Sequence, residues 1–160
     1  MACTIRPMNA ADKPALMALL RDTPEFKPHE LCVAEEVIDA YLNNPTGSGY
    51  NTLVAIDAGT VSGYICYGPT PCTLGTWDMY WQAVARAKRG QGIGGTLAKA
   101  AESHIVQENG RLIIIETSST PEYENTRRFH INRGYEIIAT VPDFYAAGDN
   151  RVILQKRIRK

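Results

Sequence analysis

Nine residues, Lys88-Arg89-Gly90-Gln91-Gly92-Ile93-Gly94-Gly95-Thr96, constrain this chain more than any other stretch. They join an extended run, Thr76–Ala85, to a segment with helical spacing that starts at Ile93 and is stopped by Gly110, with Leu97, Ala101 and Ile105 on one face. Glycines at a helix start let the backbone come close to a ligand, and the unpaired amides of a first helical turn suit phosphate. Lys88 and Arg89 add positive charge beside them. A turn that served only the fold would need neither four glycines nor two cations, so this one points to a phosphate-bearing ligand.

The rest of the chain must supply a fold around that turn. A length of 160 residues suits one domain over 1–160, able to bury roughly 70% of its unfolded surface without a disulfide or metal staple. Seventeen Lys and Arg balance seventeen Asp and Glu, which argues against a nucleic-acid partner, since phosphate affinity of that kind needs a basic excess. No apolar run approaches the ~18 residues of a membrane span, so no membrane partner is expected. The N-terminus lacks a charged segment followed by an apolar one, so no secretory signal is expected and the reading is cytoplasmic. Cys3, Cys32, Cys66 and Cys72 form no CxxC pair and read as reduced thiols. His29, His104 and His130 form no HxxxH or HExxH pair, so no metal site is expected; His104 shares the apolar helix face and reads as core.

Periodicity orders the elements. Cys3–Pro7 is a strand, Asn9 caps a helix over Ala10–Leu20, Thr23–Pro28 breaks it, and His29–Asn43 restarts one. After the loop Asn43–Gly49 the period becomes two: Tyr50–Ile56 and Val61–Tyr67 flank the turn Asp57-Ala58-Gly59-Thr60, and Thr76–Ala85 follows. Arg111–Thr117 is an apolar strand, Glu122–Arg133 a helix stopped by Gly134, and Tyr135–Val141 and Arg151–Arg157 are the last strands. This predicts an α/β or α+β sheet with helices on its faces.

Three nucleotide-binding patterns compete for the glycine turn. The phosphate loop of ATPases and GTPases needs a Lys after its last Gly, and Thr96 stands there. A dinucleotide GxGxxG matches at Gly90, Gly92 and Gly95, with Glu116 21 residues beyond Gly95. However, it arrives after several strands, and the 65 residues that follow Gly95 are too few for the missing βαβ units. The third pattern accounts for the whole chain. Arg89-Gly90-Gln91-Gly92-Ile93-Gly94 resembles the Arg/Gln-x-x-Gly-x-Gly/Ala pyrophosphate loop of the GNAT superfamily of acyl-CoA N-acyltransferases. Arg128-Phe129-His130-Ile131-Asn132-Arg133-Gly134-Tyr135 resembles that family's Phe-Tyr-x-x-x-Gly-Phe helix end, with His130 in place of the Tyr.

The resemblance implies a mixed, mostly antiparallel, twisted sheet of about seven strands with a central splayed parallel pair and about four helices. It implies transfer of an acetyl group from acetyl-CoA, without a metal, to a primary amine of a small molecule or peptide, by direct attack through a tetrahedral intermediate. The amides of Arg89, Gly90, Gln91, Gly92, Ile93, Gly94, Gly95 and Thr96 would hold the pyrophosphate, and Ala83, Val84 and Ala85 the pantetheine arm. Family sheets exchange strands or dock helices, so a homodimer is compatible with it. The alternatives are a non-catalytic acyl-CoA-binding or sensory domain, suggested by His130, and an NAD-binding oxidoreductase.

The amine must be neutral to attack, and a Lys-like amine has a pKa of about 10.4, so a base is useful at pH 7. Glu116 closes the apolar strand at its carboxyl end, where ligands of open sheets gather and where partial desolvation would favour proton uptake. It is the candidate base, or else an exposed strand-end carboxylate. Alternation along Thr76–Ala85 puts Trp77, Met79, Trp81 and Ala83 on one face and Asp78, Tyr80 and Gln82 on the other, which makes Asp78 a rival base or an amine ligand, with Tyr80 beside it, or else a surface residue near the strand start. His130 could protonate the leaving thiolate, bind substrate, or be an ordinary helix histidine; Tyr145, in the loop Pro142-Asp143-Phe144-Tyr145, is the alternative donor. Phe26 and Glu25 stand between the first two helices, where the family often builds its acceptor wall, and are either substrate contacts or part of a solvated linker.

Overall fold

In the computed structural model, which describes residues 3–158, the chain runs β1 (Thr4–Pro7), α1 (Lys13–Arg21), α2 (Pro28–Asn43), β2 (Asn51–Asp57), β3 (Thr60–Pro69), β4 (Thr76–Val84), α3 (Ile93–Gln107), β5 (Leu112–Ser118), α4 (Glu124–Asn132), β6 (Glu136–Ala146) and β7 (Asp149–Arg157). The strands form a seven-stranded sheet in the order β1-β2-β3-β4-β5-β7-β6. Neighbours are antiparallel except β4 and β5, which are parallel. The mixed sheet with four helices expected from the sequence is therefore present.

Both faces of the sheet are covered. On one, Leu97, Ala101 and Ile105 of α3 pack against Ile65, Met79, Ile113 and Leu154, joined by Phe129 of α4. On the other, Leu16 and Leu20 of α1 and Ile38 of α2 cover Val54, Tyr64 and Cys66. Asn9 caps the first turn as expected, its side chain accepting from Ala11 N–H at 3.0 Å, but that turn is a 3-10 segment, Ala10–Asp12. Asp12 is buried and takes two hydrogen bonds from the Arg6 guanidinium, at 2.7 and 2.8 Å, and one from Asn9 N–H at 2.9 Å.

The Arg6 guanidinium, with Asn9 N–H, holds the Asp12 carboxyl below its usual range against the opposing effect of burial. A depressed folded pKa contributes stability that is present above the unfolded value of about 3.9 and is lost as pH falls through the folded one. Asp12→Asn is expected to cost about 2 kcal/mol at pH 7, because bonds to charged groups are lost, and the gap to wild type should close below about pH 4 in denaturant melts.

One irregularity decides the geometry of the centre. Tyr67 pairs with Met79 and Cys66 with Trp81, so Tyr80 is an extra residue, a β-bulge in β4. It reverses the alternation. Trp77 and Met79 join the α3 side, while Trp81 and Ala83 lie in the core under α1 and α2, correcting the single apolar stripe expected from period two. Tyr80 and Trp81 follow one another on the same side: Tyr80 stacks edge-on with Tyr50 and Trp81 with Phe26, at 5.5 and 5.7 Å. Past the bulge the central pair separates. Only Thr76–Met79 pair with Leu112–Ile115, after which β4 stays with β3 and β5 with β7.

Two further expectations are corrected. Residues 142–145 are a bulged stretch of β6 rather than a loop, with Asp143 left-handed and its N–H bonded to Asn150 Oδ1 at 2.9 Å. His104 is half-buried rather than core, because its ring turns to the Tyr67 hydroxyl, 2.9 Å from Nδ1. The edge strand β6 exposes Ile137, Ile138, Val141 and Phe144. Among the described residues no helix is long and apolar enough to cross a membrane.

Candidate active site

The separated strands open into a cavity of about 760 Å³, within the range of small-molecule sites. Its floor is β4 and β5, and its walls come from the α1–α2 loop, α4 and the β6–β7 hairpin. Asp78, Tyr80, Glu116, His130, Tyr145 and Phe26 all line it, so residues far apart in sequence and singled out there share one space.

The glycine turn is not part of the cavity lining; it connects to it through Gln82, which lines the cavity and bonds to Gly94. Thr96 N–H makes the first intrahelical bond of α3, to Gly92 C=O at 3.0 Å, so the amides of Ile93, Gly94 and Gly95 precede the helical ladder. The glycines divide the work. Gly90 and Gly92 have φ of 76° and 83°, and a Cβ on either would meet nothing within 4 Å, leaving the turn open to an approaching group. Gly94 instead lets α3 sit on β4: a Cβ there would come within 3.2 Å of Gln82 Nε2, which donates to Gly94 C=O at 2.8 Å. An open first turn of this kind suits a pyrophosphate.

Arg89 does not point into open space. Its guanidinium grips Glu25 at 2.9 and 3.0 Å, and Tyr123 OH donates to Glu25 C=O at 2.9 Å. The guanidinium holds the Glu25 carboxyl below its usual range. The α1–α2 loop is thereby fastened to both the glycine turn and the start of α4, which carries Phe26 onto Trp81. The sequence offered Glu25 as a substrate contact; in the structure it is a clasp.

Glu116 is paired with Arg151 across the β5–β7 ladder, and its side chain is 37% exposed. Asp78 accepts from Thr70 Oγ1 at 2.6 Å. Burial, then the Asp78 carboxylate, pushes the Tyr80 hydroxyl up to about 12. His130 is buried between the rings of Phe129 and Tyr135, at 5.1 and 5.6 Å, and burial followed by the Arg133 charge lowers it to about 4. It is neutral at pH 7, and a neutral imidazole that gave up its proton would become an anion in an apolar site. Burial raises Tyr145 above its ordinary value, helped by Asp149. Tyr123, Asp149, Arg151 and Thr70 were not singled out from sequence. They stand in a helix start, a hairpin and a loop, where no period marks a side chain as inward.

A model of the Acetyltransferase (GNAT) family matches residues 14–135. Among solved structures, a protein of Desulfovibrio desulfuricans described as a GNAT-family acetyltransferase is 34% identical, with a TM-score of 0.94 over 98% of this chain and 99% of that one. An aminoglycoside 6'-N-acetyltransferase complexed with coenzyme A is 22% identical, with a TM-score of 0.78 over 98% of each chain. The ribosomal-protein-S18-alanine N-acetyltransferase of Escherichia coli is 14% identical, with a TM-score of 0.79 over 99% of this chain and 96% of that one. These two share the fold. No curated protein matches the sequence.

Proposed function

The chain belongs to the GNAT acetyltransferase family, and from that premise we propose that it moves an acetyl group from acetyl-CoA to a primary amine of a small molecule or peptide. The observation that carries the proposal is the opening between β4 and β5, with the open glycine turn following the end of β4 and the carboxylates of Asp78 and Glu116 in the cavity. Acetyl-CoA is the acyl donor. The amides of Arg89 to Thr96 take its pyrophosphate, and Ala83, Val84 and Ala85, at the end of β4, run beside its pantetheine arm.

Asp78, held by the Thr70 hydroxyl, orients the ammonium form of the acceptor. Glu116, held by Arg151, takes the proton that makes the amine nucleophilic. The nitrogen lone pair forms the new C–N bond at the thioester carbon, and the tetrahedral intermediate collapses with loss of the C–S bond to release thiolate. The second proton that the nitrogen sheds balances the one the thiolate takes up. With His130 near 4, no imidazolium is present at neutral pH to protonate that thiolate; Tyr145, whose hydroxyl keeps its proton, is the better donor.

The test is a melting-temperature comparison of the protein alone and with acetyl-CoA, CoA or NAD at equal concentration. A ligand at 100 times its Kd adds about 2.7 kcal/mol. A rise with the CoA ligands, followed by thiol release on adding amines, is the expected result. A rise with NAD alone would overturn the proposal.

A further inference from the structure

Two carboxylates in the cavity, Glu30 and Asp149, have no part in that scheme, and of these Asp149 is the buried one. Asp149, at the start of β7, is only 7% exposed and lines the wall furthest along β5 from Asp78. Its Oδ1 accepts from Ser118 Oγ at 2.6 Å, and the same hydroxyl meets Thr120 Oγ1 at 2.9 Å. No described lysine or arginine forms an ion pair with it. Arg151 is committed to Glu116 and lies over the Phe144 ring at 4.5 Å, and Arg127 donates to the carbonyls of Ser118 and Thr120 at 2.6 and 3.0 Å. Lys27 shares the cavity without pairing with Asp149. A carboxylate this withdrawn from water normally has a cation beside it.

The surroundings of Asp149 suit a cation supplied from outside. Tyr123, Tyr145 and Glu30 line the same cavity. Burial raises both tyrosine hydroxyls, and the charges of Asp149 and Glu30 add to it in each case. Two aromatic rings and two carboxylates around one end of a cavity favour an ammonium over a neutral group.

We propose that Asp149 anchors a second cationic group of the acceptor, so that the preferred acceptors are amines bearing at least two positive charges. This rests on the acyl-transfer reading above. Ser118, whose hydroxyl holds the Asp149 carboxylate, lies two residues beyond Glu116 on β5, a spacing of roughly 7 Å along the strand. With an ammonium about 3 Å from each carboxylate, two nitrogens joined by a chain of four or more carbons can reach both.

The experiment measures thiol release from acetyl-CoA with α,ω-diaminoalkanes of four to eight carbons, each against the amino alcohol of the same length. Two equivalent ends give the diamine a statistical advantage of about twofold. The expected preference is about tenfold or more for the longer members, carried mainly by KM, as one charge-assisted contact predicts. Asp149→Asn should return the ratio to about two, whereas Ser118→Ala, which removes only the hydroxyl partner, should keep the preference. A wild-type ratio of about two overturns the proposal, and this comparison needs no variant to fold. A preference that survives Asp149→Asn also overturns it. If acetyl-CoA raises the melting temperature but no amine releases thiol, the transfer reading fails separately. Calorimetry of the same pairs on the protein–CoA complex then decides: tighter diamine binding lost in Asp149→Asn upholds the anchor, and equal binding overturns it.

Discussion

Glu116→Gln lowers turnover at pH 7 by roughly 100-fold while CoA affinity stays within about twofold, because the amide keeps the shape of the carboxylate but cannot take up a proton. General bases contribute about 10²–10⁴ in rate, and 100-fold corresponds to about 2.7 kcal/mol of barrier. The affinity is spared because the glycine turn belongs to the start of α3, whereas Glu116 belongs to β5 and is paired with Arg151. The pH dependence separates this role from mere positioning. A free amine with a pKa of about 10.4 loses its own proton as pH rises, so the variant should approach wild type between about pH 8 and 10. A purely electrostatic partner of Arg151 would give a deficit independent of pH. The measurement is steady-state thiol release from pH 6.5 to 10, with a melting curve to show that Arg151 tolerates the amide. Unchanged turnover at pH 7 would remove Glu116 as the base.

The outline of this fold was legible in the sequence because its signals are local. The helix over α3, its glycine entry, the hairpin at Asp57–Thr60 and the apolar strand β5 each follow from period or turn chemistry within a dozen residues. What was not legible depends on pairing between distant segments. The extra residue at Tyr80 is visible only once β3 is laid beside β4, yet it decides that Trp81 faces Phe26 and that the central strands part. The same holds for charge. Glu116 and Asp78 could be singled out by type and position, but the partners that determine their behaviour, Arg151 and Thr70, lie 35 and eight residues away respectively. His130 could be matched to a motif, whereas its fall to about 4 comes from rings and a guanidinium gathered by the end of α4.

The second large effect is expected at the glycine turn. Gly92→Val weakens CoA binding by roughly 100-fold or more and leaves the protein folded. Gly92 is the residue before the first turn of α3, with φ of 83° and ψ of −1°, a left-handed conformation that a β-branched residue adopts only under strain. Folding survives because nothing lies within 4 Å of the added Cβ, so the backbone can relax toward an extended conformation at a cost of about 1–3 kcal/mol. That relaxation turns the amides of the helix start away from the position in which they converge on an anion. A bond to a charged group contributes about 1.5–3 kcal/mol, and misaligning two of them accounts for the 100-fold. Gly94→Ala acts differently, since its Cβ comes tight against Gln82 Nε2, at 3.2 Å, rather than facing open space. It should lower the melting temperature at least as much as Gly92→Val while weakening CoA less. Calorimetric titration of CoA into both variants, with melting curves on the same samples, distinguishes the two. Equal losses of affinity would show that the turn binds through its packing on β4 rather than through the backbone conformation at Gly92.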